Sequence, residues 1–146
     1  MQPFYLIIAG SRDYHNYEMV EQRTTEFLNA ISLRWIGRPV VVVCGMARGA
    51  DTLGHAWARN EGLGVVEMPA DWDKYGRGAG YRRNDEMVRA ADAAIYFWDG
   101  KSRGTAHCIS SADHKGIPYA VVVGHAMNLH NIPHKEQFEP YEAVEL

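Results

Sequence analysis

Apolar positions along the chain fall into short unbroken blocks, separated by longer stretches in which they recur every three or four residues. The run "FYLIIAG" (Phe4–Gly10) has no polar interruption, as expected of a strand covered on both faces. Asn16 then stands where a side chain caps a helix, and Val20, Phe27, Leu28 and Ile31 follow at helical spacing. The blocks "VVVVCG" (Val40–Gly45), "GVVEMPA" (Gly64–Ala70), "AAIYFW" (Ala93–Trp98) and "PYAVVV" (Pro118–Val123) repeat the strand pattern. Helical patterns separate them at about 50–60, with Leu53 and Trp57 inward and Gly62 past the end, at about 85–91, and at about 106–115, closed by Gly116. Strands alternating with helices predict an α/β fold, a Rossmann-like parallel sheet of about five strands with helices on both faces and right-handed crossovers. On this pattern residues 1–123 make up one domain, and residues 124–146 form a tail that packs on the domain or across an oligomer interface.

Composition narrows the picture without changing it. A chain of 146 residues that is 47% hydrophobic and 23% charged suits one globular domain. A formal charge of −3 gives no reason to expect nucleic acid or an acidic membrane as partner. Between Lys74 and Arg103, however, seven Lys/Arg stand against four Asp/Glu, a local excess suited to a small anion. Two cysteines, Cys44 and Cys108, without a CxxC pair, argue against a disulfide framework or structural zinc and fit a reducing cytoplasm. "MQPFYLIIAGSR" lacks the basic and long apolar regions of a signal peptide, and no apolar run reaches membrane-spanning length. The expectation is a cytoplasmic protein with no membrane partner, no metal and no cofactor.

In doubly wound sheets ligands bind outside the carboxyl ends of the strands, so the candidate chemistry is sought in the turns that follow them. After the first strand come Gly10, Ser11 and Arg12: a tight turn, a hydroxyl and a fixed cation. After the second come Gly45, Arg48, Gly49 and Asp51, leading into a helix whose amino end carries free N–H groups. After the fourth come Asp99, Gly100, Lys101, Ser102, Gly104 and Thr105, again at a helix start. Three such loops on one edge describe a phosphate-binding rim. The dinucleotide fingerprint GxGxxG is absent, since Gly45 and Gly49 are spaced GxxxG. "GKS" at Gly100–Ser102 is not a P-loop, which needs glycine where this chain has Ile95. The most distinctive stretch is "PADWDKYGRGAGYRRNDEM" (Pro69–Met87). There Asp71, Trp72, Asp73 and Tyr75 combine carboxylates and aromatic faces suited to a ribose and a base.

Four blocks, "GSRDY", "GMARGAD", "PADWDKYGRGAGYRRNDEM" and "FWDGKSRGT", stand in the order of the motifs of the YspA-type branch of the SLOG superfamily, which the chain resembles from about Tyr5 to Val123. The resemblance implies a Rossmann-like nucleotide-binding domain, related to the LOG phosphoribohydrolases and to DprA, in a branch with phage and bacterial members. It also implies a homo-oligomer. The LOG pattern RKxxM matches Arg83, Asn84 and Met87, so Arg83 resembles that family's catalytic arginine. The pattern PGGxGTxxE meets Gly100–Thr105, but its glutamate falls on Cys108, and a thiol does not do a carboxylate's work at an oxocarbenium-like centre.

Two functions follow as expectations. The first is binding or sensing of a nucleotide-derived ligand: a nucleoside monophosphate, ADP-ribose or an NAD-derived signal. The second is N-glycosidic hydrolysis with an altered carboxylate, in which Asp71, Asp73 or Asp99 is the general base and Arg83 orients the phosphate or leaving group. A third reading, metal binding by His125, His130 and His134, is weaker because Pro133 prevents a continuous helix that would align them.

Overall fold

A computed structural model describes residues 1–133 of the chain. β1 (Phe4–Gly10), β2 (Val40–Cys44), β3 (Gly64–Glu67), β4 (Ala93–Phe97), β5 (Tyr119–Val123) and β6 (Ala126–His130) form one sheet in the order β3-β2-β1-β4-β5-β6. β1 to β5 run parallel, and β6 pairs antiparallel with β5. The fold is therefore α/β and Rossmann-like, and strand order reverses between β1 and β4.

The unbroken apolar runs are explained by burial on both faces. Leu6 and Ile8 of β1 pack with Phe27 and Leu28 of α1 (Tyr17–Ala30) and Trp57 of α3 (Ala50–Asn60). The alternate residues Ile7 and Ala9 face the opposite core. There they meet Met87 and Val88 of α5 (Ala79–Ala90) and Cys108 and Ala112 of α6 (Arg103–Lys115). Each large side chain removed from water in this way contributes about 1.5–3 kcal/mol. The period-2 alternation of the strand thus decides which helices cover which face. Asn16 caps α1 by accepting from the Met19 N–H (3.1 Å), and Gly116 ends α6 in the left-handed conformation with its N–H on the Ala112 carbonyl.

Five elements differ from the sequence expectation. α5 begins at Ala79, inside the stretch read as loop, so Arg82, Arg83 and Asn84 sit past its first residues and not at its start. Just before it lies a single turn, α4 (Trp72–Tyr75), and another single turn, α2 (Ser32–Trp35), follows α1. β3 stops at Glu67, three residues short of the apolar run's end, although the Met68 N–H still reaches the Cys44 carbonyl (2.8 Å). The sixth strand lies in residues read as tail: Gly124 and His125 turn the chain back and Met127 and Leu129 face the core. His125 accepts at its carbonyl from Arg23 (2.7 Å), and the His130 ring stacks on Tyr119 (4.7 Å between centroids). His134 and the rest of the chain to residue 146 lie outside the described residues. Among those described, no helix is long and apolar enough to cross a membrane, and no three His, Cys, Asp or Glu side chains group to hold a metal ion.

Candidate functional site

Where the sheet order reverses, the chain leaving β1 and the chain leaving β4 turn to helices on opposite faces of the sheet, and a cavity of about 400 Å³ lies at the carboxyl ends of the two strands. The loop after β1 supplies Gly10, Arg12 and Asp13 to its wall, and the loop after β2 supplies Ala47. Asp51 comes from α3; Arg77, Gly80, Tyr81, Arg83, Asn84 and Met87 come from α5 and the turn before it. Asp99, Ser102, Gly104, Thr105 and Cys108 close the far side, and Trp72 hangs over the mouth, half exposed. A second hollow of about 540 Å³ adjoins the first, walled by Gly45, Met46, Ala47, Arg48, Pro69 and Ala70. Arg12, Ala47, Trp72 and Arg83 belong to both.

Asp51 is the most unusual group. Only 3% of its surface is exposed, and one carboxylate oxygen accepts from the Ala47 N–H (3.2 Å). Burial pushes its carboxyl up to about 6, against the opposing pull of the Ala47 N–H, the Arg83 guanidinium, the Gly10 N–H and Arg12. Gly45 makes this arrangement possible, because a Cβ there would stand 2.8 Å from Asp51 Oδ2 and 2.9 Å from Arg83 Nη1. Arg83 is itself fixed: Nη1 donates to the Gly45 carbonyl and Nε to Asn84 Oδ1 (3.1 Å). Asn84 in turn donates to the Gly104 carbonyl (3.1 Å), so α5 is tied to both the β2 loop and the first turn of α6.

The loop after β4 is organised by Asp99. Its Oδ1 accepts from the N–H groups of Ser102 (2.7 Å) and Lys101 (2.8 Å), which hold its carboxyl below the ordinary value. Ser11 Oγ accepts from the Asp99 N–H (3.0 Å), locking that loop to the end of β1. The side chain of the α6 N-cap, Ser102, takes no backbone N–H of the helix and instead accepts from the Thr105 hydroxyl (3.2 Å). The first-turn N–H groups of α6, at Gly104 and Thr105, have no partner within the helix and lie in the cavity wall.

The structure brings Gly10, Arg12, Asp51, Trp72, Arg83, Asp99, Ser102, Gly104 and Thr105 to one cavity, and Gly45 and Arg48 to the hollow beside it. It does not bring Ser11, Gly49, Asp71, Gly100 or Lys101 to either wall. Ser11 is buried, and Gly49 turns at φ +80 where a side chain would overlap the Ser11 and Arg12 carbonyls. Asp71 caps α4 through the Lys74 N–H (3.1 Å). Cys108, where the related pattern has glutamate, lines the cavity beside Tyr96 (3.2 Å), and burial pushes its thiol up to about 12. It remains protonated at neutral pH and is no substitute for a carboxylate. Arg77 and Tyr81 were missed because their segment reads as loop. Once the helix starts at Ala79, the spacing of Gly80, Asn84 and Met87 puts them on one face.

A mostly parallel sheet with its cavity at the reversal of strand order defines a Rossmann-like protein with an open cavity at the switch point. The chain belongs to the YAcAr family, described as the YspA, cpYpsA-related SLOG family, whose model matches residues 4–75. The Gene 61 protein of Mycobacterium phage D29 is 48% identical over 85 residues, which cover 54% of this chain and 68% of that protein. Among solved structures, DNA processing protein A (DprA) from Streptococcus pneumoniae superposes with a TM-score of 0.62 at 19% identity, over 84% of this chain and 50% of that one. This chain thus spans about half the length of DprA. The protein TM1055 superposes with a TM-score of 0.53 at 21% identity, over 82% of this chain and 72% of that one. At these identities the two structures share the fold.

Proposed function

We propose that the protein binds a nucleotide-derived ligand at the switch-point cavity: a nucleoside monophosphate, ADP-ribose or an NAD-derived signal. The observation that carries this reading is the convergence of Arg12, Arg83 and the open amino end of α6 on one cavity. Two guanidiniums and unpartnered N–H groups are the donors a phosphate needs, and Trp72 and Tyr81 at the mouth offer faces to a base. Family membership supports a nucleotide-related role. In this reading residues 1–123 carry the binding residues, and β6 completes the same sheet at its edge.

Asp51 favours a second reading, hydrolysis of the ligand's N-glycosidic bond. Of the carboxylates near the rim, Asp99 is engaged by two N–H groups and Asp71, engaged as the cap of α4, does not line the cavity. Asp51 combines cavity access with a proton affinity near the working range of a general base.

Thermal unfolding against AMP, GMP, ADP-ribose, NAD and cyclic dinucleotides, followed by product analysis, tests both. A ligand at 100 times its Kd adds about 2.7 kcal/mol, a rise of roughly 5–10 °C for a domain of this size. A rise with the ligand intact supports binding or sensing, and free base among the products supports hydrolysis. Silence across the panel removes both.

A further inference from the structure

We propose that residues 134–146 dock on the protein's own surface, across an apolar patch of Leu33, Ile36 and Met1 at the amino end of the sheet, with a row of their glutamates toward Arg34 and Arg38. The proposal stands apart from the nucleotide reading, because the switch-point cavity lies at the other end of the strands.

α2 and the residues after it carry the chain into β2 at the sheet's amino end. Ile31 and Trp35 are buried in the core, and the Trp35 indole donates to the Leu28 carbonyl (2.7 Å). The residues between and after them do the reverse: Leu33 is 59% exposed and Ile36 58%. Met1 is exposed too, and its terminal methyl stands 3.3 Å from where a Cβ at Gly37 would lie, so its side chain rests against the same turn. Large apolar side chains gathered on a surface mark a place of contact.

The chain's own continuation is placed to fill it. Tyr119, the first residue of β5, pairs with His130, the last of β6, so β6 returns the chain to the amino end of the sheet. Ile132 then joins the core that holds Ile31 and Trp35, so the described residues end on the face that α1 and α2 cover. β1 lies three strand spacings from β6, about 14 Å, whereas thirteen extended residues reach about 43 Å. From Glu136 the sequence reads "EQFEPYEAVEL", with glutamate at 136, 139, 142 and 145 and apolar Phe138, Tyr141 and Val144 at the same spacing. Residues three apart share one side of a helix or of a polyproline chain, so an apolar row and an acidic row run beside each other. The patch offers the complement. Arg34 stands in the same turn as Leu33, and Arg38 Nη1 donates to the Arg34 carbonyl (3.1 Å). A tethered segment meets this surface at a high effective concentration, an advantage over the same segment of a second copy.

The test is a double-mutant cycle on the full chain, read by thermal unfolding at two protein concentrations with light scattering beside it. One pair of changes, Leu33→Ala with Ile36→Ala, alters the patch at exposed positions. The other, Phe138→Ala with Tyr141→Ala, alters the segment. Each pair should lower Tm by about 5 °C, and the four changes together by little more than either pair. All four proteins should remain monomeric with the same Tm at both concentrations. A segment pair that leaves Tm unchanged overturns the proposal, as do two effects that add in full. Shifts that depend on concentration, with a dimer in light scattering, give the patch to a second copy and overturn it as well.

Discussion

The connection from β2 into α3 and the connection from β4 into the first turn of α6 each carry two glycines with basic sequence between them, Gly45 and Gly49 around Arg48 in one, Gly100 and Gly104 around Lys101 and Arg103 in the other. They use those residues for opposite ends. In the β2 loop, the space that side chains at Gly45 and Gly49 would take is already filled by the protein: Asp51 and Arg83 at one, the Ser11 and Arg12 backbone at the other. In the β4 loop and the first turn of α6, nothing lies within 4 Å of where a side chain would begin at Gly100 or Gly104. That loop closes on its own Asp99 carboxylate and leaves the start of α6 open. A glycine after a strand is thus ambiguous. It can clear room for the chain or for something else, and only the neighbouring atoms tell which.

The sharpest way to break this comparison is Gly49→Ala. At φ +80 a side chain is strained, and it would also overlap two backbone carbonyls that cannot rotate away. A loss of roughly 3–5 kcal/mol is expected in denaturant unfolding, enough to unfold much of the population at 37 °C. A variant within 1 kcal/mol of the parent, by that same measure of about two-state unfolding, would mean the β2 loop is not packed as described.

Next in size is the pH dependence set by Asp51. Its carboxyl is raised to about 6 from 3.8, so the folded state holds a proton that the unfolded chain has released over this window. Stability then falls as pH rises from about 4 through 6, by about 3 kcal/mol in total, and levels off above. Asp51→Asn should remove this slope when unfolding free energies of parent and variant are compared between pH 4 and 7. Equal slopes in the two proteins would show that Asp51 is not the group responsible.

Much of this architecture was legible in the sequence, because strands buried on both faces must be apolar throughout and each helix must return the chain to a parallel neighbour. β1, β2, β4 and β5 lie where their apolar runs are, and the loops that follow β1, β2 and β4 reach the site. What escaped reading depended on contacts made far along the chain. β6 is an edge strand with only Met127 and Leu129 turned to the core, so its alternation is short, though Gly124 with φ +60 beside His125 is a two-residue turn signal. α5 was read late because Gly76, Gly78 and Gly80 lower helix propensity there. Gly80 is accommodated by tertiary packing, as the Trp72 ring would stand 3.3 Å from a Cβ at that position. The roles within the rim were least legible. Ser11 and Gly49 carry the residue types of a phosphate loop but serve the joints between loops, whereas Asp51 reads like a helix-start residue and is the buried carboxylate of the cavity.

The smallest expected effect on stability discriminates best between the two loops. Gly104 lies in the first turn of α6 and in the cavity wall, with open space where a side chain would begin. Alanine is the better helix former, so Gly104→Ala should stabilise the protein by about 0.5 kcal/mol. The same methyl group would stand between a phosphate and the N–H groups of α6, and AMP binding should weaken severalfold. Stability and binding then move in opposite directions, which a loop glycine serving only the protein's own packing would not produce. If Gly104→Ala instead destabilises the fold, the open space beside it is used by the chain and the two loops are alike. If it stabilises the fold and AMP binds as before, the amino end of α6 is not where the phosphate rests, and Arg12 and Arg83 carry it alone.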